Sequence, residues 1–203
     1  MKNYREYWKP QTYGDAQYFI DTGNAGDDFW RWGRERYAEM TPYLPEPCSV
    51  VVDYGCGIAR VLKCHTAERR IGLDVSPEML DFARAENPDL EFMQIAGNEI
   101  PLPDGTVDFL YSLLVLQHMD AADVQRVLTE TARTLKASGR CFMEFSAFGD
   151  AWSPDARQND KHAVLMYTPE IICEISEAAG LEVLQIFVHP VNYLVMVGRR
   201  KHE

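Results

Sequence analysis

The stretch "VVDYGCGIAR", residues 51–60, joins an apolar run to an acid, two glycines and a segment of helix-forming residues. Ser49 to Asp53 reads as a buried strand, because the run is short, β-branched and closed by a turn. Glycines at 55 and 57 let a ligand approach the backbone, and Ile58 to about Ala67 reads as a short helix with free N–H groups at its start. In an open α/β sheet such a turn lies where ligands bind, outside the carboxyl ends of the strands.

Working outward, strands alternate with helical patterns. Arg70 to Asp74 reads as a second strand, after which Ser76 is an N-cap and Pro77 the first helical residue. Leu90 to Ile95 and Val107 to Ser112 read as further strands. A helix from Ala121 to Ala137 places Val124, Val127, Leu128, Thr131 and Leu135 on one face, with Gly139 as its stop. Arg140 to Ser146 is a fifth strand, and strands separated by helical crossovers imply a mostly parallel sheet with helices on both faces. Thr168, Pro169 and Gly180 bound a last helix. The strands Leu181 to Val188 and Tyr193 to Gly198 follow, and "HPVN" between them is short enough only for an antiparallel hairpin.

The 203 residues suit one domain, divided as 1–48, an aromatic-rich cover, 49–146, a ligand-binding core, and 147–203, a long loop, helix and hairpin. The first 32 residues hold nine of the chain's 23 aromatics, and Asp27 or Asp28 is placed to cap a helix running to about Met40. A net charge of −11 repels a phosphate backbone, so nucleic acid is not expected as a partner. No signal peptide or apolar span of membrane length is evident, so a cytoplasmic protein with no membrane attachment is expected. Five cysteines without a C-x-x-C pair read as reduced thiols. Cys64 beside His65 lacks a second ligand pair, so no metal site is expected.

Asp74, at the end of the second strand, is placed to accept the hydroxyls of a ribose, which points to an adenosine ligand. Charge selects among such ligands. A dinucleotide fingerprint needs a third glycine where Arg60 stands and an apolar residue where Asp53 stands, and a carboxylate there repels a pyrophosphate. A ligand carrying an ammonium and a sulfonium is attracted instead, which S-adenosylmethionine satisfies.

Four stretches in order, "VVDYGCGIAR", "IGLDVSPEML", "IPLPDGTVDFLYSLLVLQHM" and "LKASGRCFMEF", resemble the successive motifs of class I S-adenosylmethionine-dependent methyltransferases over about residues 49–146. The resemblance implies an α/β fold with a Rossmann-like seven-stranded, mostly parallel sheet ending in a C-terminal antiparallel hairpin. It implies S-adenosyl-L-methionine as cofactor and S-adenosyl-L-homocysteine as product. It also implies that Asp53, Gly55, Cys56 and Gly57 surround the methionine part and that Asp74 takes the ribose. Val75 and Met79 would flank the adenine, Gly97, Asn98 and Glu99 meet its edge, and Ser112 and Leu113 lie near the sulfonium. Ala59 departs from the usual third glycine, and Ala96 from an aspartate that meets the adenine amino group.

His118, after the fourth strand, has two readings: a catalytic base, since imidazole accepts a proton near neutral pH, or a loop histidine that orders the helix start at Asp120. The amino-terminal aromatics read equally as core packing for an added helix and as a cation–π lid, with Tyr18, Trp30 and Arg34 as the candidate contacts, and the loop at 148–167 is a candidate substrate wall. A small-molecule acceptor leads, because no D/N-P-P-Y/F motif is present and the charge disfavours nucleic acid. The rivals are a protein methyltransferase, a non-catalytic S-adenosylmethionine-binding module and a nicotinamide oxidoreductase.

Overall fold

The computed structural model describes residues 4–20, 26–147, 166–189 and 193–201. Seven strands form one sheet: β1 (Val50–Tyr54), β2 (Arg69–Asp74), β3 (Glu91–Gln94), β4 (Val107–Ser112), β5 (Leu135–Ser146), β6 (Leu181–His189) and β7 (Tyr193–Arg200). Their spatial order is β3-β2-β1-β4-β5-β7-β6, with β7 antiparallel to both neighbours and the pairs from β3 to β5 parallel. The expected architecture is therefore present, and the sequence order reverses beside β1, between β1 and β4. That switch point is where such sheets bind ligands.

Among the described residues five α-helices flank the sheet: α1 (Tyr13–Ile20), α2 (Asp27–Met40), α3 (Pro77–Glu86), α4 (Ala121–Thr134) and α5 (Pro169–Ala178). Alternation along the strands divides the core. Val52, Leu110 and Met143 pack with Val124, Val127 and Leu128 of α4 and Ile172 of α5. On the other face Val51, Phe109 and Phe142 pack with Met40 of α2 and Ala83 of α3. Each fully buried aliphatic or aromatic side chain contributes about 1.5–3 kcal/mol, so these two layers hold the sheet rigid under its carboxyl edge.

Several boundaries differ from the sequence reading. Ser76 Oγ does accept from the Met79 N–H (3.1 Å), and Thr168 Oγ from the Ile171 N–H (3.4 Å), so both caps form as expected. The N-cap of α2 is Gly26, whereas Asp27 and Asp28 lie inside the first turn. Helix α4 stops at Thr134 rather than Ala137, because Leu135 already pairs with Val107 and Gly139 lies within β5. The larger correction concerns residues 58–67. They hold only a 3-10 turn at Leu62–Cys64, since Gly57 (φ 52°) and Ala59 (φ 65°) both take left-handed backbone that an α-helix excludes. Helix α2 occupies the space alongside: a Cβ on Gly33 would lie 2.3 Å from the Arg60 carbonyl oxygen.

Candidate active site

A cavity of about 520 Å³ opens at the carboxyl ends of β1, β2 and β4, under the amino-terminal segment. Its floor is the turn after β1. Gly55 and Cys56 both donate their N–H groups to the Leu73 carbonyl (2.7 and 3.0 Å), which ties the turn to β2. Gly55 (φ 81°) has no room for a side chain, because a Cβ would fall 2.2 Å from Val115 Cγ2. A Cβ on Gly57 would fall 2.6 Å from the end of the Ile20 side chain, so α1 rests directly on this turn.

Two buried acids face the cavity. Asp53 Oδ2 accepts from the Tyr111 hydroxyl (2.9 Å). Burial pushes its pKa up to about 7; the Tyr111 hydrogen bond opposes the rise, the Asp74 charge adds to it, and the Arg60 charge opposes it. Asp74 Oδ2 accepts from the Gly57 N–H and Oδ1 from the Ser76 N–H, both at 2.9 Å. Burial raises its pKa as well, against the backbone hydrogen bonds from Ser76, Gly57 and Val75. Asp74 is thus the turn acid that orders Ser76 and at the same time part of the cavity wall. Cys56 lines the cavity too, and burial first, then the charges of Asp74 and Asp53, keep its thiol protonated.

Val75, Met79, Gly97 and Leu113 also line the cavity. Three other sequence candidates do not. Asn98 turns its amide to Asp123 Oδ1 of α4 (2.6 Å), Glu99 is exposed and accepts from the Ala96 N–H (3.0 Å), and Ser112 is buried with its hydroxyl donated to the Tyr54 carbonyl (2.9 Å). Tyr54 also donates to the Gly97 carbonyl, so the loop after β3 is fixed by a β1 side chain.

The opposite wall is aromatic and comes from the amino-terminal segment. Trp8, Phe19, Ile20 and Trp32 line it, whereas Tyr18 is exposed, Trp30 packs against Phe29 and the Lys63 ammonium, and Arg34 lies off the lining. The amino-terminal aromatics that line the cavity are thus not the residues singled out in the sequence. The loop at 148–167 lies outside the described residues except for its last two. Tyr167 pairs with Ala147 at the end of β5.

His118 lines the cavity in the 3-10 turn Leu116–His118, with its ring edge-on to Trp8 (5.4 Å between centroids). Ser146 donates to Gln117 Oε1, and Gln117 Nε2 lies 3.1 Å from His118 Nε2. With the amide assigned this way, Nε2 accepts and Nδ1 carries the proton. Cys64 and His65 diverge. The Cys64 thiol is directed to the Arg60 carbonyl (3.8 Å), and His65 is stacked on Tyr111 (5.3 Å) and edge-on to Tyr37 (4.7 Å). Among the described residues no three His, Cys, Asp or Glu side chains form a metal-binding group, and no helix is long and apolar enough to cross a membrane.

Two features were missed in the sequence. Arg60 is buried on the cavity wall, its guanidinium carbon 3.6 Å over the Trp32 ring and 4.6 Å from the Phe29 ring centre. Glu144, an acid between phenylalanines in "CFMEFS", is buried in β5; it accepts from Arg36 of α2 (2.9 Å) and from the Leu114 N–H (3.0 Å). That second bond holds Leu114 in left-handed backbone (φ 61°) on the cavity wall. A lone charge in an apolar strand was the available signal for Glu144.

A family model described as a methyltransferase domain matches residues 52–143. An uncharacterized methyltransferase of Mycobacterium bovis is 36% identical over 100 residues, covering 48% of this chain and 40% of that protein. A biotin biosynthesis bifunctional protein of Cellvibrio japonicus is 33% identical over 112 residues, covering 52% of this chain and 22% of that protein. The chain thus spans less than half the length of these curated relatives. Among solved structures, the magnesium protoporphyrin IX methyltransferase of Synechocystis with bound S-adenosylhomocysteine superposes with a TM-score of 0.72 at 15% identity, over 97% of this chain and 98% of that one. A putative methyltransferase in complex with an activator, from Haloferax volcanii, gives 0.69 at 22% identity, over 88% and 100%.

Proposed function

We propose that the chain, whose residues 52–143 match a methyltransferase-domain model, is a class I S-adenosylmethionine-dependent methyltransferase that transfers the methyl group of S-adenosylmethionine to a small-molecule acceptor and releases S-adenosylhomocysteine. The observation that carries this reading is the composition of one cavity: two acids and a glycine turn at one end, an aromatic wall at the other. The donor set fits the cofactor. Asp53 offers a carboxylate to an ammonium and Asp74 one to ribose hydroxyls, while Val75 and Met79 offer apolar faces to a base.

When bound, the cofactor supplies an activated methyl group on a cationic sulfur. This chain's residues do the positioning. Trp8, Phe19 and Trp32 exclude water and present ring faces and edges that suit a cation and an apolar acceptor. Leu113 and Leu114 fix the far side, and in-line alignment in so confined a space supplies the main kinetic advantage. His118 is the group placed to take a proton from the acceptor, and it can do so once the Gln117 amide releases Nε2. An acceptor restricted to this compartment is a small molecule rather than a protein surface.

The test is calorimetric titration with S-adenosylmethionine, with NAD as the comparison, at pH 6 and pH 8. Saturable one-to-one heat with the former alone is expected. Because a cation binds the ionised form of Asp53, affinity should fall about tenfold for each pH unit below 7. Formation of S-adenosylhomocysteine against a panel of phenols, carboxylic acids and amines then separates transfer from binding alone. Binding without turnover across that panel would favour a non-catalytic module.

A further inference from the structure

The Gln117 amide covers the imidazole nitrogen that His118 turns toward a proton. Gln117 and Ser146 are both buried, 8% and 5% exposed, and the Ser146 hydroxyl donates to Gln117 Oε1. Ser146 is itself fixed at the end of β5, because its carbonyl accepts from the Tyr167 N–H (2.9 Å). The amide oxygen is thereby held, and the amide nitrogen lies 3.1 Å from His118 Nε2. A primary amide nitrogen is a donor only, so it meets Nε2 as an acceptor.

A methyl acceptor that reaches Nε2 must therefore replace one hydrogen-bond donor with another. A carboxylic acid is ionised near neutral pH and brings no proton to this nitrogen. An alkyl amine is protonated at the same pH, and its cation is repelled by a cationic sulfur. A hydroxyl group is neutral and donates. The surroundings add a second restriction: the imidazole is edge-on to Trp8 (5.4 Å between centroids), Trp8 is edge-on to Phe19 (6.3 Å), and all three line the cavity. A molecule seated against His118 thus meets ring edges and faces, which suit another aromatic ring.

We propose that the methyl acceptor is a small aromatic compound whose hydroxyl group displaces the Gln117 amide at His118 Nε2. This names the substrate class of the methyltransferase proposed above and rests on that reading. As the hydroxyl oxygen forms its bond to the methyl carbon, the carbon–sulfur bond breaks and its electron pair stays on sulfur. The hydroxyl proton passes to His118 Nε2. The products are an aryl methyl ether, S-adenosylhomocysteine and an imidazolium. Gln117, anchored by Ser146, is a positioning residue that holds the imidazole as its Nδ1–H tautomer until the acceptor arrives.

The experiment follows S-adenosylhomocysteine formation at pH 8 from phenol, p-cresol, p-nitrophenol, benzoate and benzylamine, on the wild type, His118→Gln and Gln117→Glu. Transfer to phenol or p-cresol should exceed transfer to benzoate and benzylamine by about tenfold or more. His118→Gln should slow transfer to phenol about 100-fold, but transfer to p-nitrophenol, already ionised at this pH, by less than about fivefold. Gln117→Glu, whose carboxylate cannot donate, should turn the imidazole to its Nε2–H tautomer in long-range proton–nitrogen spectra. It should also slow transfer to phenol about tenfold, with affinity for S-adenosylmethionine within about twofold of wild type. A preference for benzoate or benzylamine, or no transfer to phenol and p-cresol, would overturn the substrate class. Equal losses for phenol and p-nitrophenol in His118→Gln would overturn the proton transfer in favour of packing. An unchanged tautomer in Gln117→Glu would overturn the positioning role, and if that variant lacks a cooperative melt, loss of the Nδ1–H tautomer in Ser146→Ala decides instead. A folded wild type that does not bind S-adenosylmethionine in calorimetry would remove the methyltransferase reading itself, an outcome distinct from the others.

Discussion

Asp53 and Asp108 sit on adjacent parallel strands at opposite ends of the sheet and are buried to the same degree, 5% and 4% exposed. Their surroundings differ. Asp108 receives the N–H groups of Ser49 (3.0 Å) and Val50 (2.9 Å) and the Lys136 ammonium at 2.8 Å, so its charge is met on several sides. Asp53 receives, among the described residues, one hydrogen bond from Tyr111, with a second acid nearby and a cavity in front. One end of the sheet is built for its own stability, and the other is left electrostatically incomplete for a ligand to finish.

The largest effect should come from the completed end. Asp108→Ala strands two backbone donors and an ammonium, and should reduce unfolding stability by about 3 kcal/mol in urea denaturation, with cofactor affinity nearly unchanged. A loss below about 1 kcal/mol would mean that the amino-terminal end of β1 relaxes easily, and the contrast would weaken.

The incomplete end should reveal itself through pH. Asp53 titrates at about 7 in the native state against 3.8 when unexposed to such burial, so between these values the native state holds a proton that the unfolded state has lost. Stability from this group therefore falls as pH rises through that window. His65 behaves oppositely. Burial, followed by the Arg70 charge, lowers its pKa from 6.5 to about 4, so the unfolded state holds the extra proton and stability falls as pH drops from 6.5 toward 4. Each slope is about 1.4 kcal/mol per pH unit, and between pH 4 and 6.5 they cancel. Asp53→Asn should thus lose stability toward acid relative to wild type and gain about 1–3 kcal/mol above pH 7, while His65→Phe should become relatively more stable toward acid. Parallel curves for the three proteins in urea titrations from pH 5 to 8 would refute both assignments.

The smallest effect should be at Ala59. Relief of left-handed strain in Ala59→Gly is worth about 1–2 kcal/mol. Loss of a buried methyl (about 0.8 kcal/mol) and added freedom in the unfolded chain (up to about 1 kcal/mol) offset it. Stability should stay within about 1 kcal/mol of wild type, and a larger change in either direction would show that the turn repacks.

What the sequence disclosed follows the same division. β4 is readable at Val107–Ser112 because Val107, Phe109, Leu110 and Tyr111 form a short apolar cluster broken only by Asp108, and α3 because Ser76 and Pro77 encode its start chemically. Asp53, Gly55, Gly57, Asp74, Val75 and Met79, which all line the cavity, are readable as one cluster because each lies within a few residues of a strand end. "IARVLKCHTA" has helical composition, yet the left-handed Ala59 and the contact of Gly33 with Arg60 override it, and no local pattern announces a tertiary contact. The aromatic wall was legible as a class of residue only. Selecting Trp8, Phe19 and Trp32 over Tyr18 and Trp30 requires the path of the segment before α1 and the angle at which α1 and α2 meet the sheet.

The buried pair of Arg36 and Glu144 also orders events on the ribosome. Its partners are 108 residues apart, so at a synthesis rate of about 5–20 residues per second α2 waits on the order of 5–20 s for the strand that anchors it. During that interval the nascent chain carries Trp8, Phe19 and Trp32 before the sheet beneath them is complete. The residues that enclose the finished cavity are the ones this chain must keep from aggregating while it is being made.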